Sequence, residues 1–63
     1  MLLKMLLDVI SSDTEIEIYS DMCFMDNNLL YRGKCIDMLD THLMIKQVFQ
    51  ILAYNRTIII ILD

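Results

Sequence analysis

The C-terminal segment, residues 57–62, has one threonine followed by five aliphatic residues in a row. A strand with one face in water alternates apolar and polar residues, whereas this run is apolar on both faces of any strand it forms. Isoleucine is β-branched and favours an extended backbone, so the run predicts a strand and not a helix. The simplest cover for its second face is another copy of the chain, because 63 residues hold little further material.

The composition places residues 1–63 in a single small domain. Hydrophobic residues make up 57% of the chain, with no proline and one glycine, which excludes a disordered chain. Domains of this size bury only about 60% of the surface of the unfolded chain and often need a disulfide, a metal or a partner subunit. We therefore expect a homodimer or a larger homo-oligomer.

The first part of the chain predicts a helix and a hairpin. Residues 2–10 place apolar side chains at helical spacing and indicate an amphipathic helix. Residues 15–19 alternate strictly and predict a half-buried strand. This strand is expected to continue to a tight turn at Asn27-Asn28, with Asp21 opposite Lys34 on the returning strand, residues 29–36. A looser loop over residues 21–28 is the alternative.

The second part predicts a short helix and a second hairpin. Asp37 is expected to cap a helix over residues 38–44, with Leu39 and Leu43 turned inward. Residues 46–54 and 57–62 are expected to pair around a turn at Asn55-Arg56. The predicted fold class is α+β, an N-terminal helix packed on a four-stranded antiparallel sheet in the order α-β-β-short α-β-β.

The second hairpin is predicted to have two different faces. One is wholly apolar and is expected to seat the N-terminal helix: Phe49, Ile51, Ala53, Ile58, Ile60 and Leu62. The other is the predicted oligomer interface, because an exposed aliphatic patch usually marks a contact surface. Its proposed contact residues are Val48, Leu52, Tyr54, Ile59 and Ile61. The alternative is that residues 37–44 fold back over this face.

No motif indicates catalysis or a cofactor. Cys23 and Cys35 are predicted to point to opposite faces of the sheet, so we expect two reduced cysteines. Together with His42 they would lack a fourth zinc ligand, and no metal or cofactor is predicted. Nothing fixes His42 relative to a nucleophile, so an interaction protein is expected in preference to an enzyme.

Charge is distributed unevenly along the chain. The net charge is −4, and residues 1–31 carry six acidic residues against one lysine. The predicted partner-binding surface consists of Asp13, Glu15, Glu17, Asp21 and Asp26, which would face a basic protein or nucleoprotein. An acidic rim that serves only solubility is the alternative. The acidic balance disfavours nucleic acid, for which the candidate residues are Arg32, Lys34, Lys46 and Arg56.

Neither a targeting segment nor a membrane span is predicted. The apolar opening is interrupted at Asp8 without a cleavage site, and the C-terminal run is far shorter than a span. We expect a cytoplasmic protein.

Three stretches carry a family resemblance: a leucine-rich opening, then DTEIEIY at residues 13–19, then LLYRGK at residues 29–34 with Asp37 shortly after. This pattern resembles small accessory proteins of phages and prophages of low-GC Gram-positive bacteria, some of which are anti-CRISPR inhibitors. The resemblance implies a mobile-element protein that acts by binding in a bacterial host. Together with the small size and the uneven charge, it leads to the hypothesis that the chain inhibits a host defence nucleoprotein such as a CRISPR effector. The alternatives are a small oligomeric nucleic-acid-binding or nucleic-acid-processing protein and a subunit of a phage assembly.

Overall fold

One four-stranded sheet forms the framework of the molecule. The computed structural model describes residues 1–20 and 26–63, without the side chain of Asp26. The strands are β1 (Glu15–Tyr19), β2 (Leu29–Lys34), β3 (Val48–Tyr54) and β4 (Thr57–Leu62), in the spatial order β2-β1-β4-β3. The helices are α1 (Leu3–Leu7) and α2 (Thr41–Met44), with 3₁₀ turns at Asp26–Asn28 and Cys35–Asp37. The predicted α+β class is confirmed.

The two central strands are parallel, so the prediction of a purely antiparallel sheet is wrong. β1 pairs with β4 in parallel, with Ile16 beside Ile58 and Ile18 beside Ile60. The outer pairs, β1 with β2 and β3 with β4, are antiparallel as expected. The two central strands, β1 and β4, therefore have both of their backbone edges paired. Periodicity within a strand carries no information about this direction, because side chains alternate in the same way in either.

The main core lies between α1 and one face of the sheet. Leu3, Ile16, Ile18 and Ile60 are fully buried there, and full burial of such a side chain stabilises the fold by about 1.5–3 kcal/mol. The other buried members of this core are Leu6, Leu7, Cys35, Met38 and Leu62. The connection from β2 to β3 crosses this same face, since Met38 is buried in it. The alternative in which residues 37–44 cover the opposite face is therefore wrong.

The tight turn predicted at Asn27-Asn28 is wrong, because Asp26–Asn28 forms a 3₁₀ turn directly before β2. The predicted continuation of the first strand falls on residues 21–25, which lie outside the described residues. β1 ends at Tyr19, which pairs with Leu29, and the Ser20 amide donates to the Asn28 carbonyl at 2.9 Å. Lys34 lies opposite Glu15 and not opposite Asp21. This register places two acidic residues of β1 across from two basic residues of β2, a favourable cross-strand arrangement.

The turn of the second hairpin is confirmed. Asn55 and Arg56 both have positive φ, 53° and 65°, as a two-residue type I′ turn requires. Farther along, a bulge between Val48 and Gln50 sets Val48, and not Phe49, opposite Leu62. Val48 thus packs against the helix-covered core, and its assignment to the opposite face is wrong. Phe49 is 53% exposed and is not part of the helix seat.

Both helices are shorter than predicted. α1 ends at Leu7, and Asp8 is its C-cap residue. No glycine follows Asp8 to form a left-handed C-cap. Asp40, not Asp37, caps α2: its Oδ1 accepts from the amides of His42 at 2.9 Å and Leu43 at 3.3 Å. Leu39 is exposed, contrary to expectation, because Met38 is the residue that is buried in the core at this point of the chain. In the part of the chain that the structure describes, no helix is long and apolar enough to cross a membrane.

Candidate functional site

The acidic residues of β1 lie opposite basic residues of β2. The Tyr19 hydroxyl donates to Glu17 Oε1 at 2.6 Å, and Arg32 Nε lies 3.3 Å from Glu17 Oε2. Glu15 is exposed and lies opposite Lys34. The Glu17 carboxylate and burial raise the pKa of Tyr19. This part of the sheet is therefore a mixed-charge surface.

The remaining acidic candidates are scattered. Asp13 is exposed in the turn that precedes β1. Asp21 and the side chain of Asp26 lie outside the described residues. Among the predicted acidic residues that are described, Asp13 and Glu15 are the two with exposed carboxylates. The basic residues that were considered for binding nucleic acid are no better assembled, since Arg32 is paired with Glu17.

The groups with possible chemistry lie apart from one another. Cys35 is a buried free thiol whose Sγ donates to the Leu7 carbonyl at 3.7 Å, and burial raises its pKa, which disfavours the nucleophilic thiolate. His42 is exposed on α2, and Cys23 lies outside the described residues. Over residues 1–20 and 26–63, no cluster of three His, Cys, Asp or Glu residues could hold a metal ion.

The edge strand β3 presents the most distinctive surface. Tyr54 is 73% exposed, Phe49 53% and Ile51 46%, although β3 carries no charged residue. An open apolar depression of about 350 Å³ lies beside it, lined by Leu52, Ala53, Tyr54 and Ile59. Apolar side chains and a strand edge are therefore available at the same place.

The outer backbone edge of β3 is covered only at its beginning. The Val48 amide donates to the Met1 carbonyl at 2.8 Å, and the Leu3 amide donates to the Lys46 carbonyl at 2.9 Å. Beyond this bridge, no strand among the described residues pairs with the outer edge of residues 50–54. The residues that flank a two-residue hairpin turn exchange both hydrogen bonds, and bonded positions alternate along the strand. The backbone groups of Ile51 and Ala53 consequently point outward.

The predicted oligomer interface divides into buried and accessible residues. Ile59 and Ile61 are buried within the single chain, 8% and 2% exposed, and cluster with Tyr19. Leu52 is half-buried, and Tyr54 is exposed at the edge. Sequence reasoning placed Phe49 and Ile51 under the helix and so missed them as surface residues. The available signal was the uncharged run VFQILAY at residues 48–54, which is typical of an unprotected edge strand.

Comparisons of the chain with protein-family models, with curated proteins and with solved structures gave no match.

Proposed function

We propose that this chain is a small, non-enzymatic interaction protein that acts by binding, and that β3 is its contact strand. The observation that carries the proposal is the coincidence of exposed apolar side chains with an open backbone edge along one uncharged strand.

Such an edge supports binding in two ways. Its outward amides and carbonyls bond to an added strand, while the alternate side chains give specificity. Soluble proteins usually protect an edge with charge, proline or a covering segment. Residues 50–54 have no charge and no proline, and Ile51 and Tyr54 are exposed. A strand left open in this way is best explained by a partner that covers it.

For the biological setting we propose a mobile-element protein, as the family resemblance implies, and we propose that it inhibits a host defence nucleoprotein. The net charge of −4 supports an approach to a basic surface. Asp13 and Glu15 are the exposed acidic residues that would contribute to this attraction. Glu17 contributes less, because Arg32 and Tyr19 occupy its carboxylate.

A plasmid-interference assay in a host with an active CRISPR system tests this proposal. The chain should protect the targeted plasmid, and Ile51→Lys should remove that protection by placing a charge in the contact. Leu30→Lys is the matched control, since Leu30 is 45% exposed on the opposite edge strand, and it should protect as the parent does. Absence of protection by the parent chain would contradict the defence setting. Full protection by Ile51→Lys would contradict the assignment of β3.

A further inference from the structure

We infer that the occupant of the β3 edge is a second copy of this chain, paired antiparallel to the first with Leu52 on the two-fold axis. The inference rests on the proposed function in one respect, the assignment of β3 as the contact strand. It identifies the occupant of β3 as a second copy, so that the dimer is the form that would bind a target, and it gives the register of pairing.

The length of the open edge fixes the centre of the pairing. On one side, residues 1–3 bridge to residues 46–48 and occupy the outer edge there. On the other side, the chain turns away at Asn55 and Arg56. The bulge between Val48 and Gln50 takes Phe49 out of the regular register, so the regular open stretch is residues 50–54, and its middle residue is Leu52. A longer overlap, or one centred elsewhere, would run into the N-terminal bridge or the turn.

The phase of the backbone hydrogen bonds agrees with this centre. Ile51 and Ala53 direct their backbone groups outward, as the hairpin register requires. With Leu52 on the axis, Ile51 of each copy lies opposite Ala53 of the other. The outward amides and carbonyls of these two residues then form hydrogen bonds with each other in both symmetry-related pairs. A pairing shifted by one residue, with Ile51 opposite Leu52 of the other copy, would set an outward group against an inward one and lose these bonds.

The side chains are compatible in the same register. On the helix-covered face the larger Ile51 meets the smaller Ala53. On the opposite face Tyr54 meets Gln50, and Leu52 meets its own symmetry mate beside the apolar depression that it lines with Ile59. No charged residue lies within residues 50–54, so pairing desolvates no charge and brings no like charges into contact.

The other edge strand lacks these properties. β2 carries Arg32 and Lys34, and Gly33 interrupts its side chains. Pairing of β2 with β3 of another copy would be head-to-tail and could propagate into an open chain, whereas pairing of β3 with β3 closes after two copies. The charges on β2 protect that edge. The closed dimer joins two four-stranded sheets into one continuous sheet, with both α1 helices on the same side.

Disulfide trapping tests the register, because only a residue on the two-fold axis meets its own copy. Leu52→Cys is made in a background with Cys23→Ser and Cys35→Ala, and the folded variants are oxidised mildly at high micromolar concentration. Gln50→Cys and Ile51→Cys in the same background are the controls, since each faces a different residue across the axis. We expect at least tenfold more covalent dimer from Leu52→Cys than from either control. Equal yields, or a control that exceeds Leu52→Cys, would overturn the register.

A second measurement keeps failure of the inference separate from failure of the proposed function. Sedimentation of the unmodified chain should show a reversible monomer–dimer equilibrium that Ile51→Lys shifts to monomer. A chain that stays monomeric, while Ile51→Lys still abolishes plasmid protection, would overturn the second copy and leave β3 as the contact for another protein. Trapping at Leu52 with no protection by any variant would support the dimer and contradict the proposed function.

Discussion

Ile51 of β3 lies directly opposite Ile60 of β4, yet Ile60 is fully buried and Ile51 is 46% exposed. The two residues share one face of the sheet and lie on adjacent strands, Ile60 on a central strand and Ile51 on the edge strand. α1 and the β2–β3 connection cover the central strands and leave the edge strand partly open. This difference between neighbouring isoleucines separates the residues that hold the fold together from those available for binding.

Truncation of these two isoleucines should therefore have very different effects. Ile60→Ala leaves a cavity in the main core and should lower the free energy of unfolding by about 2–5 kcal/mol. Ile51→Ala removes a half-exposed side chain and should cost about 1 kcal/mol or less. Urea denaturation at low protein concentration, where the monomer predominates, measures both. Similar losses from the two variants would contradict the assignment of β3 as an open edge.

The second hairpin turn offers a stabilising substitution. Arg56 has φ of 65°, a left-handed conformation that costs a non-glycine residue roughly 1–2 kcal/mol. Arg56→Gly should raise the free energy of unfolding by about 0.5–1 kcal/mol, because Asn-Gly is the preferred pair for this turn. Thermal unfolding checks the result against Arg56→Ala, which keeps the strain and should give no comparable gain. Destabilisation by Arg56→Gly would contradict the type I′ turn.

Gly33 should not tolerate a side chain. Its φ is +152°, and a Cβ there would lie 2.9 Å from Tyr31 Oη, which donates to the Lys34 carbonyl at 2.7 Å. Gly33→Ala should lower stability by about 1–3 kcal/mol, through backbone strain and displacement of that hydroxyl. The same substitution in a Tyr31→Phe background should cost less, because the crowding atom is gone. Equal costs in the two backgrounds would assign the whole effect to the backbone.

The buried thiol of Cys35 predicts a loss of stability at high pH. Burial, and secondarily Asp8, raise its pKa above the ordinary value of 9.0. Above that pH the unfolded chain releases the proton while the folded chain retains it, so the free energy of unfolding falls as the pH rises. Cys35→Ala should show a shallower decline between about pH 9 and pH 10 in chemical denaturation. An unchanged slope would contradict the role of this thiol, although Tyr19 and Tyr31, whose pKa values are also raised, add to the decline at higher pH.

The sequence predicted the features that depend on short-range patterns. Strict alternation located β1, and the two residues between apolar runs located the turn at Asn55-Arg56. The all-apolar run of β4 correctly indicated a strand covered on both faces: Ile60 and Ile61 point to opposite faces, and both are buried.

The features that depend on long-range pairing could not be predicted in the same way. The bulge at Val48 moves residues between faces without any signal such as glycine, and so reversed the assignments of Val48 and Phe49. The parallel contact of β1 with β4 depends on how two hairpins dock, which neither hairpin's sequence specifies. The ion pair between Glu17 and Arg32 depends on the register of β1 and β2, which the sequence did not specify. This ion pair removes Glu17 from the unpaired acidic residues of the predicted surface.

Sedimentation equilibrium of the parent chain and two variants tests whether β3 is an open edge that pairs with a second copy. The parent chain and Leu30→Lys should both approach twice the single-chain mass of 7.4 kDa as concentration rises. Ile51→Lys should remain at the single-chain mass over the same range while keeping its circular dichroism spectrum. A parent chain that stays monomeric at millimolar concentration, or a folded Ile51→Lys variant that dimerises equally well, would contradict the pairing of two copies through β3.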